Sequence, residues 1–237
     1  MPVGAASVRP TPKSVKRGPV AAGTWQVATP IIDTTMALEI RPLTRGRMGD
    51  LAGLFGQGGD PKWCWCAFFR VRGLDFMNST AADNRAVLEA AVRDERSEGR
   101  APGLVAYLGG EPVGWTSLGP RADYERLTHS TVLAPVDDRP VWSIVCFVVA
   151  RQRRGQGMAV ALLDAAIAYA RDHGATTLEA YPVDTSAGRI AAASAYHGTL
   201  SMFERAGFTV AEVRRANASS APRPIVRLDL PATPAKG

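Results

Sequence analysis

The amino-acid sequence predicts an α/β domain, and three observations carry that prediction. From Leu38 onward the apolar spacing switches repeatedly between a period of two, as in strands, and about 3.6, as in helices. Gly109-Gly110 separates two apolar runs, Leu104 to Leu108 and Val113 to Leu118, and reads as a hairpin because glycine accepts the positive φ of a tight β-turn. The most continuous apolar run, Val141 to Val149, leads into an Arg/Gly turn and then a long Ala/Leu helix.

The elements can be read in chain order. Leu38 to Leu43 alternates as a short strand. Arg45 to Phe55 places Met48, Leu51, Leu54 and Phe55 at helical spacing, stopped by Gly56, and Gly56 to Asp60 reads as a loop. Thr80 to Glu98 fits a second helix, with Thr80 as cap, Asp83 in the first turn, Val87, Leu88, Ala91 and Val92 as the buried stripe, and Gly99 as its stop. After the hairpin, Asp123 to Thr128 is a helical turn, followed by a loop through Asp137, Asp138 and Pro140. Beyond the central strand, Ala159, Leu163, Ala166, Ile167 and Ala170 share a helix face that ends before Gly174. Thr176 to Tyr181 is a further strand, Leu200 to Ala206 a short helix closed by Gly207, and Phe208 to Val213 and Ile225 to Leu230 two more strands.

Composition narrows the class. The 237 residues are 46% hydrophobic and 21% charged with a mean hydropathy of −0.05, which suits a chain that buries one sizeable core. No apolar run approaches the roughly 18 residues of a spanning helix. Cys64, Cys66 and Cys146 are too few for a disulfide framework, and Val20 to Ile32 is broken by polar residues and Pro30, so it is no export core. The expected compartment is the cytoplasm.

Half of the formal charge of +6 lies in residues 1–35, where four basic groups face the single acid Asp33. The remaining 202 residues carry only +3, weak support for the gathered basic face that nucleic acid requires, so nucleic acid is not the expected partner. Residues 1–35 are rich in Pro, Ala, Gly, Ser, Thr and Val and follow neither period, which predicts a disordered basic tail ahead of a domain spanning 36–237. Periodic sequence begins at Met36, which fits either a start at that residue or a genuine tail before it.

The chemistry concentrates after the central strand, in Arg151-Gln152-Arg153-Arg154-Gly155-Gln156-Gly157-Met158. A buried strand that feeds a helix through a glycine turn aims unpaired N–H groups and the positive helix end at one point, which attracts phosphate. Gly155 and Gly157 permit close backbone approach, and Arg151, Arg153 and Arg154 add charge, so a diphosphate is the natural guest. Neither G-x-G-x-x-G nor G-x-x-x-x-G-K-[ST] is present, which excludes those two nucleotide loops.

Gln152-x-x-Gly155-x-Gly157 resembles the acyl-CoA pyrophosphate loop, Q/R-x-x-G-x-G/A, of the GNAT superfamily of N-acetyltransferases. The order of elements from Leu38 to Leu230 and the stretch Met202-Phe203-Glu204-Arg205-Ala206-Gly207-Phe208 extend the resemblance. It implies a mixed, mostly antiparallel, twisted sheet with helices on both faces, and acetyl transfer from acetyl-CoA to a primary amine in a ternary complex without an acyl-enzyme. By the same resemblance, backbone groups of Val145, Cys146 and Phe147 would pair with the pantetheine arm as with an added strand. Gln152, Arg153, Arg154, Gly155, Gln156, Gly157, Met158 and Ala159 would cradle the pyrophosphate. No metal is implied, and a homodimer is compatible with exposed strand edges.

The pattern departs from the family at one place. Many members carry a Tyr in the late helix, four residues before its Gly, to protonate the leaving thiolate; here Phe203 stands there and has no proton to give. Tyr196 is the first substitute acid, and His197 is an acid or base by its unperturbed range. Ser201 lies in the same segment. Glu111, Glu179, Asp184 and His129 are candidate bases, none marked by a motif, and a water chain could replace them. Phe203 also motivates a second reading, an acyl-CoA-binding sensor that catalyses weakly or not at all. In Pro61-Lys62-Trp63-Cys64-Trp65-Cys66-Ala67-Phe68-Phe69, the C-x-C spacing lacks a second ligand pair, and Trp63 and Trp65 either line the acceptor pocket or pack in the core.

Overall fold

The computed structural model describes residues 37–93, 99–186 and 196–231. The strands are β1 (Leu38–Pro42), β2 (Gly103–Leu108), β3 (Glu111–Pro120), β4 (Trp142–Val149), β5 (Thr177–Ala180), β6 (Thr209–Arg214) and β7 (Arg223–Asp229). They form one seven-stranded sheet in the order β1-β2-β3-β4-β5-β7-β6. Every neighbouring pair is antiparallel except β4 and β5, which run parallel. The helices are α1 (Met48–Gly56), α2 (Pro61–Cys64), α3 (Gly73–Met77), α4 (Ala81–Arg93), α5 (Glu125–His129), α6 (Met158–Asp172) and α7 (Leu200–Arg205).

Adjacent residues of β3 show which face each helix covers. A Cβ on Gly114 would stand 3.0 Å from Leu162 and 3.3 Å from Met158, both on α6. Trp115, one residue later and therefore on the opposite face, meets the ring of Phe55 from α1 edge-on at 6.3 Å. Helices thus cover both faces, as the family resemblance implies. The close approach of α6 follows from its composition, since Ala161, Ala165, Ala166 and Ala170 are all buried and small.

Local sequence sets the helix ends. Thr80 and Asp83 cap α4 reciprocally: the Thr80 N–H donates to Asp83 Oδ2 at 2.8 Å, and the Asp83 N–H donates to Thr80 Oγ1 at 3.2 Å. The expected continuation of this helix through residues 94–98 lies outside the described residues. α6 stops at Gly174, whose φ of 79° suits only a residue without Cβ.

Two short helices, α2 and α3, lie where the sequence shows no periodicity, being too brief to display one. The chain leaves α2 through two consecutive left-handed residues that are not glycine, Trp65 (φ 47°) and Cys66 (φ 52°). Such a conformation costs about 1–2 kcal/mol per residue and persists only where packing enforces it. Both side chains are buried in the core formed with α1 and β3.

Candidate active site

The site begins where the sheet opens. β4 pairs with β5 only at Trp142↔Leu178, Ser143↔Glu179 and Ile144↔Ala180. β5 then ends, whereas β4 continues to Val149 on β3 alone. On its other edge β4 shifts register opposite Ser117/Leu118, so that Val145 is the extra residue of a bulge. From Val145 onward, one edge of β4 therefore carries no strand among the described residues. Val145, Cys146 and Phe147 are the first residues of this free edge.

The free edge runs directly into the glycine turn. Arg151–Arg153 form one 3-10 turn, Gly155 and Gly157 have φ of 74° and 80°, and Gly157 caps α6. No side chain caps the helix and no acid lies in its first turn, which leaves its leading amides and dipole available to an anion. A Cβ on Gly155 would meet nothing within 4 Å, so the turn is open. Gln156 Nε2 bonds to the Gln152 carbonyl at 3.0 Å and braces the turn from within. Arg154 Nε reaches back to the Val149 carbonyl at 3.2 Å, tying the turn to the end of β4. The donor set of N–H groups and guanidiniums fits a diphosphate.

Across the gap lies the segment that begins at Tyr196. Val183 bridges Thr199 in parallel, its N–H donating to the Gly198 carbonyl at 3.0 Å, which holds Tyr196 and His197 beside the opening. The two rings lie 4.0 Å apart. Burial pushes the Tyr196 phenol up to about 12, assisted by the sulfur of Cys146. Burial likewise pushes His197 down to about 3, and the charge of Arg223 adds to the push. His197 is thus a neutral imidazole at pH 7, and its buried Nδ1 has no hydrogen-bond partner among the described residues.

Phe203 on α7 is fully buried, with its ring 6.1 Å from that of Phe147 and 5.0 Å from that of Phe208. Ser201 is exposed on the same helix. On the opposite face of the sheet, Cys66 Sγ lies 3.1 Å from Cys146 Sγ and accepts from Trp115 Nε1 at 3.1 Å. The bond with Cys66 and then burial hold the Cys146 thiol well above its ordinary range. Burial also pushes Cys64 up to about 12. Among the described residues no group of three or more His, Cys, Asp or Glu side chains is placed to hold a metal ion.

The two tryptophans divide. Trp65 is 7% exposed and packs on Phe55 at 5.3 Å, so it belongs to the core. Trp63 is 40% exposed and meets Phe76 edge-on at 4.6 Å. From there an aromatic wall continues through Phe68, 5.3 Å from Phe76, and Phe69, 5.0 Å from Phe68 and 5.7 Å from His197. Arg126 of α5 lies 3.9 Å over the Phe68 ring. Phe76 and Arg126 escape the sequence reading, because only long-range packing brings them to the wall.

Of the candidate bases, Glu179 is corrected. It is fully buried, and its Oε1 accepts from Arg121 Nη1 at 2.8 Å and from the Tyr181 hydroxyl at 2.7 Å. Its Oε2 accepts from Arg227 Nε at 2.9 Å and Nη2 at 2.8 Å. A fully buried carboxylate whose two oxygens are both held by guanidiniums is a structural ion pair and presents no free oxygen to a substrate. Glu111 is exposed at the start of β3, and His129 is exposed on α5, 3.8 Å from Glu125. Asp184 accepts from the Ser186 N–H at 2.8 Å, which holds its carboxyl below the usual range.

The comparisons with known proteins agree with this geometry. The family model described as "Acetyltransferase (GNAT) family" matches residues 65–208. Among solved structures, an acetyltransferase of the GNAT family from Desulfovibrio desulfuricans is 18% identical with a TM-score of 0.50, covering 81% of this chain and 99% of its own. An agmatine N-acetyltransferase mutant is 13% identical with a TM-score of 0.53, covering 81% and 99%. The acetyltransferase yncA from Salmonella typhimurium, determined with its cofactor acetyl-CoA, is 17% identical with a TM-score of 0.50, covering 85% and 98%. At these identities the likeness is one of fold. Among curated proteins none matches. The family match spans more than half of the chain and takes in the diverging strand, the glycine turn and the late helix, so the chain belongs to the acetyltransferase (GNAT) family.

Proposed function

We propose that the chain moves the acetyl group of acetyl-CoA to a primary amine by direct transfer in a ternary complex. The observation that carries the proposal is the free edge of β4, which starts at the Val145 bulge and runs without interruption into the Gly155–Gly157 turn and α6. An extended amide-bearing arm with a diphosphate at one end matches a strand edge with an anion nest at one end. In this reading Val145, Cys146 and Phe147 present backbone groups to the pantetheine. The turn from Gln152 to Ala159 holds the pyrophosphate, chiefly through N–H groups of Arg154, Gly155, Gly157 and Met158, with Arg153 and Arg154 adding charge. Residues 36–237 make up the transferase domain, with 1–35 outside it.

Transfer requires a neutral amine at the thioester carbonyl, formation of the C–N bond, rupture of the C–S bond and a proton for the departing thiolate. Tyr196 supplies that proton in our reading: burial keeps its phenol protonated through the neutral range. His197 stays uncharged and offers its unpartnered Nδ1 as an acceptor for an N–H of the incoming amine. The ammonium proton leaves through water. Cys146 does not act as a nucleophile, because its thiol is buried and bonded to Cys66.

A second reading rests on Phe203. Its complete burial at the position of the family's usual tyrosine suits a module that binds acyl-CoA and signals its presence. Calorimetric titration of the chain with acetyl-CoA and CoA, in the native form and with Arg154→Glu and Gly157→Trp combined, tests the donor site. Saturable binding lost in the variant supports it; absence of binding by the folded native chain overturns it. Amine-dependent release of CoA then separates the enzyme from the sensor, which binds tightly and releases none.

A further inference from the structure

We infer that the acceptor is an amine that also bears a carboxylate, held by Arg126 against the aromatic wall. The inference rests on the acetyl-transfer reading above and names its acceptor class.

Arg126 is placed with unusual firmness for a half-exposed cation. Its backbone N–H donates to the Phe69 carbonyl at 3.0 Å, and its Nε donates to the Phe68 carbonyl at 2.6 Å. The guanidinium then lies 3.9 Å over the Phe68 ring and 5.6 Å over the Phe76 ring. These contacts fix the planar fork, and among the described residues its terminal N–H groups make no hydrogen bond. Its neighbour Glu125 is turned to other partners, Arg72 at 3.6 Å and His129 at 3.8 Å. Among the described residues no carboxylate lies within 4.0 Å of Arg126. A rigid guanidinium on an apolar, partly dry surface without its own acid matches a carboxylate in both shape and charge.

A second cation points the same way. Arg223, at the start of β7, is half-buried and also has no carboxylate in range among the described residues. Its charge acts on both Tyr196 and His197, and that of Arg126 acts on Tyr196. The wall from Phe68 through Phe69 to His197 and Tyr196 connects Arg126 to the strand gap. A molecule with its carboxylate on Arg126, an apolar body on the phenyl rings and its amine near Tyr196 would span this surface. Two unopposed positive charges repel polyamines. They also favour the neutral form of an amine over its ammonium, which is the form that attacks.

The test uses a matched pair, phenylalanine and phenylalaninamide, with spermidine as the opposite charge, in a CoA-release assay. The expected result is a kcat/KM for the acid at least tenfold above that for the amide. Arg126→Gln should collapse that ratio toward one at unchanged acetyl-CoA affinity, and Arg126→Lys should restore only part of it. Amide or spermidine used as well as the acid would overturn the inference and leave acetyl transfer standing. If no amine releases CoA, acetyl transfer fails, and calorimetry of N-acetylphenylalanine and its amide with CoA present decides the acceptor class separately. Binding of the acid alone, lost in Arg126→Gln, supports it; equal binding, or none by the acid, overturns it. Should Arg126→Gln unfold, Arg223→Gln applies the same comparison from the other cation.

Discussion

The ring of Phe203 meets the ring of Phe147 at 6.1 Å and 65°, so the late helix grips the free strand at the first residues of its open edge. This contact replaces a proton donor with hydrocarbon. Phe203→Tyr would bring a hydroxyl into a fully buried position among the rings of Phe147 and Phe208, at a cost of about 1–3 kcal/mol. We expect a lower melting temperature and no gain in kcat. A rise in kcat would relocate the leaving-group acid to α7.

Tyr196→Phe should lower kcat about 100-fold, within the usual range for loss of a general acid, while the acetyl-CoA affinity stays unchanged. Because the phenol is pushed up to about 12, Tyr196 contributes no falling limb to the pH–rate profile below that region. Unaltered turnover in Tyr196→Phe would show that the thiolate leaves without it.

His197 makes stability depend on pH. Its folded value is pushed down to about 3 from 6.5, so between these values the unfolded chain binds the proton that the folded chain refuses. The contribution is complete above pH 6.5 and is lost as pH falls toward 3, the loss reaching about 2 kcal/mol by pH 5. Urea midpoints at pH 7.5 and 5 should therefore diverge more in the native chain than in His197→Gln. Equal shifts would place the acid sensitivity elsewhere.

Cys146→Ala should retain acetyl transfer, and Cys146 should react slowly with iodoacetamide, since it is 8% exposed and bonded to Cys66. An acetyl group trapped on Cys146 in rapid-quench mass spectrometry would replace direct transfer by a two-step route.

Glu179→Gln should lower stability by about 3–5 kcal/mol, because Arg121 and Arg227 would lose the carboxylate that neutralises them. The fraction that remains folded should turn over normally. A folded variant with depressed kcat and a displaced pH profile would return Glu179 to the chemistry.

Local features were legible in the sequence. The glycine turn, the central strand before it and the helix after it depend on neighbours within about a dozen residues, and each lies where the apolar pattern puts it. The substitution at Phe203 was legible too, although its burial was not. What escaped depends on distance along the chain. Arg126 reaches Phe68 across 58 residues, and Glu179 finds Arg227 across 48. α2 and α3, at four and five residues, barely exceed one helical turn and fall short of the several turns over which a period can be read. Trp65 showed no sign of its inward turn, which follows from the left-handed backbone at Trp65 and Cys66.

Among the described residues, the opening between β4 and β5 places an unpaired edge in the middle of the sheet, away from its outer strands β1 and β6. Such an edge invites any extended peptide, including another copy of the same chain emerging from synthesis. A ligand that lies along it would therefore also act as a stopper against self-association, adding about 2.7 kcal/mol of stability at a hundred times its dissociation constant. The supply of such a ligand would set how long the protein lasts as well as how fast it works.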